Sequence, residues 1–103
     1  MLGLTATALA APSEAELMKQ AKITRRQAEK IALAKVPGWK VQSEEIENEH
    51  HALVWSFDLV QTGSRDVTEV LVNAKTGGIV AVSKETPADQ ARESAADKAD
   101  GQK

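Results

Sequence analysis

The run HALVWSFDLV, residues 51–60, constrains the fold most. In it Leu53, Trp55, Phe57 and Leu59 alternate without a break. Alternation of this kind is the period of a β-strand, whose successive side chains point to opposite faces of a sheet. The four large side chains must therefore share one buried face, each contributing roughly 1.5–3 kcal/mol when fully buried. Val54, Ser56 and Asp58 fall on the other face. A strand like this needs paired neighbours and a cover over its apolar side.

The cover precedes it. In ITRRQAEKIALAKVPGW, Thr24 and Gln27 have the spacing of a capping box, in which each side chain satisfies an amide of the other residue. Ile23 and Ala28 are placed as a hydrophobic staple across that cap. Ala28, Ile31, Ala32 and Val36 recur at helical spacing, with Arg25, Arg26, Glu29 and Lys30 off the stripe. Pro37 and Gly38 end the helix, because proline disfavours helical geometry in the residue before it. Small alanines on the stripe predict close approach to a sheet. Upstream, SEAELMKQAK adds a weaker helical extension.

Three further strands follow from the pattern. Val41 to Glu49 carries Val41 and Ile46 at opposite parity, so a regular strand cannot bury both and a bulge or late start is expected. After the polar turn at residues 61–65, Asp66 to Ala74 places Val70 and Val72 on one face and Leu71 on the other. Lys75, Thr76, Gly77 and Gly78 then reverse the chain, glycine supplying positive φ. Ile79 to Ser83 returns as a short edge strand. The fold class predicted is α+β: one N-terminal amphipathic helix packed on one face of a small antiparallel sheet of three to four strands.

The two ends read differently. MLGLTATALAA is too short to span a bilayer. Its Ala8-Leu9-Ala10 ending, followed by Ala11-Pro12-Ser13, has the small-residue pattern of a signal-peptide cleavage site, although no Lys or Arg precedes the apolar run. Residues 1–11 are read as a signal-peptide remnant, which implies a periplasmic or secreted protein, and residues 12–22 as a linker or helix extension. After Val82 there is no large apolar residue. Thr86-Pro87-Ala88-Asp89 has the form of a helix start. Yet residues 84–103 are expected to be a solvated or weakly helical tail, without an apolar stripe to seat a partner.

The order of these pieces resembles the PepSY family. The residues that carry the resemblance are Ile23-Thr24 with Gln27-Ala28, the Pro37-Gly38 stop, and Val72-Asn73-Ala74-Lys75-Thr76-Gly77, spread over residues 23–83. Where the family often has Asp, this chain has Asn73, which keeps the turn-forming side chain and removes its charge. The resemblance implies a helix on an antiparallel sheet in an exported or membrane-attached protein. It also implies the company of secreted metallopeptidases, in whose propeptides such domains have a proposed inhibitory or folding role. It brings no catalytic motif, and with no peptidase in this chain inhibition would act in trans.

Composition narrows the chemistry. The 103 residues hold 13 basic and 15 acidic side chains, so no global field favours nucleic acid or anionic membranes. Two tryptophans and one phenylalanine make a poor base-stacking platform. Without cysteine there are no disulfides, thiolate metal sites or thiol nucleophiles. The serines lie in no nucleophile elbow, and Gly77-Gly78 lacks the Lys-Ser/Thr that completes a phosphate loop. No catalytic residue and no cofactor are assigned. His50 and His51, with Glu49, are the weak metal candidates: adjacent residues on a strand diverge, and only a turn at this point would let the two imidazoles converge.

What remains is recognition. Seven basic residues and one acid lie between Lys19 and Lys40, and four acids without a base between Glu44 and Glu49. Such segregation can steer a partner or simply solvate two faces. Trp39, just beyond the helix stop, is expected to cap the core. The leading expectation is a non-catalytic exported domain binding another exported protein, a peptidase among the candidates, through a sheet edge or the face the helix leaves uncovered. That face would carry Val54, Ser56, Asp58, Glu69, Leu71 and Asn73. The alternative is a small periplasmic sensor or metal-handling accessory using His50, His51 and nearby glutamates. A weak homodimer paired through edge strands is the third class, beside a monomer.

Overall fold

The computed structural model describes residues 12–89. Two helices precede a four-stranded antiparallel sheet: α1 (Glu14–Gln20), α2 (Arg25–Lys35), β1 (Lys40–Glu49), β2 (Ala52–Val60), β3 (Val67–Asn73) and β4 (Ile79–Glu85). The strands lie in sequence order, β1-β2-β3-β4, each antiparallel to the next. The fold is α+β, with both helices on one face of a meander.

Both helices start on reciprocal caps. The Thr24 hydroxyl accepts from the Gln27 amide, and the Gln27 side chain accepts from the Thr24 amide at 2.8 Å. The upstream extension is a separate helix with its own box between Ser13 and Glu16. What divides α1 from α2 is the extended backbone at Ala21, where φ is −71° and ψ 140°. Past α2 the chain turns through Gly38 at φ 89°, a region costly for any residue with a Cβ.

The sheet buries what alternation predicts on the helix side. Leu53, Trp55, Phe57 and Leu59 join Ile46, Val70, Val72, Ala28 and Ala32 in one core, with Ile31, Val36, Trp39 and Val41 packed against it. The register of β1 on β2 shifts between Val41 and Ser43. That bulge brings Val41 and Ile46 to the same core despite their opposite parity. Ala28 and Ala32 are fully buried, as close approach of α2 to the sheet requires.

The turn between β3 and β4 does more than reverse the chain. The Asn73 carboxamide oxygen accepts from the Lys75 and Thr76 amides at 2.8 and 3.0 Å, and the Asn73 carbonyl accepts from Gly77. Gly77 has φ 84°, whereas Gly78 has no positive φ. Only the first glycine is conformationally demanded, and a Cβ there would stand 3.4 Å from Ile31 Cδ1. Between them, Ala74 is fully buried. Its amide donates to the Leu53 carbonyl, and its carbonyl accepts from both Lys22 and Ile23 at 2.8 and 3.0 Å. The indole of Trp55 donates to the Ile23 carbonyl at 3.1 Å. The joint between α1 and α2 is thus tied to the sheet at three points.

Substitutions at Asn73 separate charge from geometry. Urea denaturation should show Asn73→Ala losing about 1–2 kcal/mol, because two amides lose their acceptor. Asn73→Asp, which keeps the acceptor, should stay close to the wild type. Gly77→Ala should cost about 1 kcal/mol or more through its left-handed backbone.

Candidate functional site

The face of the sheet away from the helices brings together the residues predicted to share it. Val54 lies opposite Asn73, Ser56 opposite Leu71 and Asp58 opposite Glu69. That face is less open than expected. Val54 is 0%, Leu71 2% and Ser56 8% exposed, and neither Val54 nor Leu71 belongs to the core beneath α1 and α2. Asp58, Glu69 and Asn73 are half-buried and engaged: Asp58 accepts from the Ser43 hydroxyl at 3.2 Å, Glu69 from Ser56 at 3.4 Å, and Asn73 holds the turn. The alternation of one strand tells which side chains share a face. It does not tell how far each is exposed: on a face free of α1 and α2, Val54, Ser56 and Leu71 are buried and the other three are partly open.

Around the two buried apolar residues the second face is acidic. Glu45 stands opposite Ser56 and Glu47 opposite Val54, with Glu69 on β3 across from them. Partial burial, and then the charges of Glu49, Glu45 and Glu69, push the Glu47 carboxyl above its usual value, against a hydrogen bond from Ser56 that lowers it. Like charges held together disfavour ionisation.

His50 and His51 form the two-residue turn between β1 and β2, with φ of 52° and 62°. Both are exposed. Two successive left-handed residues make the type I′ geometry, which favours Asn-Gly and which histidine tolerates at a cost. The turn does place the imidazoles side by side, but among the described residues no group of three or more His, Asp or Glu side chains is arranged to hold a metal ion.

The two outer strands differ. β1 carries Glu44, Glu45, Glu47 and Glu49, charges that discourage pairing with another strand; a register irregularity is present on both outer strands, after Val41 on β1 and opposite Leu71 and Val72 on β4. On β4 the five residues Ile79 to Ser83 are uncharged, and charge begins at Lys84, which pairs with Asp66 at 3.3 Å. Ile79 lies opposite Val72 and Val82 opposite Val70, so both project on the helix side of the sheet. They are 38% and 42% exposed, beyond the reach of α2. Sequence reading placed an edge strand here without singling out these two residues. The contrast between the uncharged run Ile79 to Ser83 and an acidic β1 is the signal that marks them.

A shallow hollow lies where α1 meets the sheet, between Met18, Arg25 and Trp55, and a second adjoins it toward Glu44. Their volumes of about 240 and 250 Å3 fall short of the roughly 300–1,000 Å3 typical of small-molecule sites. Arg25 and Glu44 form an ion pair that joins the basic helix to the acidic strand. The Glu44 Oε1 beside it is buried without a hydrogen-bond partner.

The capped helix, the meander and the Asn73–Gly77 turn are the features on which a family comparison can act. A family model described as peptidase propeptide and YPEB domain, PepSY, matches residues 22–82. The chain belongs to the PepSY family. No curated protein and no solved structure shows significant similarity to it. The matched PepSY segment starts at the α1–α2 joint and ends within β4, so it contains the Ala74 tie and most of the uncharged edge. No helix among the described residues is long and apolar enough to cross a membrane. The signal-peptide reading of residues 1–11 lies outside the described residues, as does most of the tail.

Two outcomes follow. Replacing His50-His51 by Asn-Gly should stabilise the fold by about 1 kcal/mol in chemical denaturation, by removing two unfavourable backbone conformations. Glu47→Gln should raise the melting temperature at neutral pH. Because the folded state of the wild type binds this proton more tightly than the unfolded state, stability falls as pH rises from the ordinary carboxyl value through the raised one. The advantage of the glutamine variant should therefore vanish when melting is followed down to acidic pH.

Proposed function

We propose that this PepSY domain is a non-catalytic exported binding module whose open β4 edge pairs with an extended segment of another exported protein, with a secreted peptidase as the leading class of partner. The observation that carries this reading is the uncharged run Ile79 to Ser83 on an outer strand, with Ile79 and Val82 exposed beside it. Strand addition to a sheet edge takes its affinity from main-chain hydrogen bonds and its selectivity from alternate side chains. Ile79 and Val82 offer an apolar lip for such side chains. Association with peptidases is what the description of the family supports. An inhibitory effect would follow if the segment held at β4 were one that the peptidase needs free.

Val54, Ser56, Asp58, Glu69, Leu71 and Asn73 lie behind this edge. In this reading they set the shape of the sheet that presents β4, and the half-buried three supply its polar margin. The sensor reading through His50, His51 and Glu49 gains no convergent ligand set. Pairing of two β4 edges in a weak homodimer would use the same surface and compete with the partner.

The test immobilises the whole chain and its Ile79→Lys/Val82→Lys variant and exposes both to exported proteins of the source cell. Retained proteins are identified by mass spectrometry and assayed for peptidase activity with and without the domain. The wild type should retain a peptidase, and the folded double variant should bind it at least about tenfold more weakly, the equivalent of 1.4 kcal/mol. Equal retention by both proteins would remove the edge from the account.

A further inference from the structure

The ion pair between Arg25 and Glu44 engages one carboxylate oxygen and leaves the other, Oε1, buried without a donor. Buried polar atoms in folded proteins nearly all have partners, so an open acceptor on a residue that lines a hollow is a place for a ligand's donor. We propose that the two hollows beside this pair dock an extended peptide segment. An apolar side chain of the segment fills the first, and a lysine or arginine fills the second. The site lies on the β1–β2 side of the sheet, away from β4, and is independent of the strand addition proposed there.

The linings decide which side chain goes where. Glu44 lies opposite Phe57 and so stands on the helix side of the sheet. The second hollow is lined by Glu14, Glu44 and Glu45 against the single guanidinium of Arg25, and its field favours a cation. The first is lined by Met18, Ala21 and Ile23, with Lys22 and Arg25 as its charges. It suits an apolar group and repels a cation.

Trp55 and Met18 line both hollows. The Trp55 ring is fixed by its indole bond to the Ile23 carbonyl. It offers an aromatic wall that serves an apolar side chain and a cation alike. Met18 is 49% exposed and unbranched, so it can slide aside for a guest where a branched side chain would resist. With Met18 displaced, the bound cation donates to Glu44 Oε1 while Oε2 keeps Arg25. Each hollow is smaller than a typical small-molecule site and of a size for one side chain. In an extended segment, residues two apart point to the same side, about 6.6 Å along the chain. An apolar and a basic residue separated by one position therefore enter adjoining hollows together.

The test titrates the intact, isotope-labelled chain with three blocked peptides, acetyl-Leu-Ala-Arg-amide, acetyl-Leu-Ala-Glu-amide and acetyl-Ser-Ala-Arg-amide, and follows amide and indole chemical shifts. The first should give saturable shifts at the Trp55 indole and at Met18, Arg25 and Glu44. It should bind at least about tenfold more tightly than the others, a margin within reach of one charge-assisted hydrogen bond or one buried apolar side chain. Glu44→Gln should cut the preference for arginine over glutamate by about tenfold. Glu14→Gln, a change at an exposed position, should cut it by about threefold. Undiminished preference in the folded variants, equal binding of all three peptides, shifts confined to residues 79–83, or no saturable shift would overturn the proposal. So would shifts at the hollows that grow with protein concentration alone, which would make a second copy of this chain the occupant.

Discussion

The carbonyl of Ala74 is the point on which the arrangement of the two layers depends. It accepts from two consecutive amides, Lys22 and Ile23, in the extended joint between the helices. Those amides belong to neither helix ladder and lie close to the core, where an unpaired donor would cost about 1–3 kcal/mol. On the other side, the Ala74 amide is held by Leu53 of β2. One buried residue therefore fixes β2, the β3–β4 turn and the α1–α2 joint together. Trp55 adds a second tie from its indole to Ile23. Asn73 and Gly77 matter because they hold the turn in the shape that delivers Ala74 to this position.

Once that joint is fixed, the placement of α2 leaves an asymmetric sheet. The helices lie over the side that carries Phe57, Leu59, Val70 and Val72 and stop short of β4, so Ile79 and Val82 are left half-open. At the opposite edge the glutamates of β1 oppose pairing. A chain with two equally open edges would be prone to stack on itself. This one has a guarded edge and an open one, and the open one is flanked by apolar side chains. Net charge is close to zero, so long-range attraction would add little to the proposed strand addition, and contact at the edge would supply its selectivity.

Much of the fold is legible in the sequence because local and global signals agree. The capping box at Thr24, the stop at Pro37-Gly38 and the alternation from Leu53 to Leu59 each act over a few residues, and each has one structural solution. The bulge in β1 is legible from the parity of Val41 and Ile46. Less legible is the second helix layer over Ala21, since the break depends on where Ala74 reaches in space. The second face is illegible for a related reason. Val54 and Leu71 read as outward-facing because Leu53 and Val70 face inward, and no local rule reports that they are nonetheless buried. The His50-His51 turn also hides, since its residue types are not those that a type I′ geometry selects.

The two faces of the sheet meet in β4. Its Ala81 and Ser83 pair with Leu71 and Glu69 on the second face, while Ile79 and Val82 border the first. The Asn73 turn sets the strand at its start, through the two amides that its carboxamide oxygen holds. At its other end the chain enters the reciprocal cap between Thr86 and Asp89. Between these two fixed points the register with β3 shifts once, opposite Leu71 and Val72. The regular stretch from Ala81 to Glu85 is therefore the part of the edge whose backbone groups are evenly spaced. In the proposed strand addition such pre-ordering would lower the entropy lost by the sheet when an extended segment pairs with it.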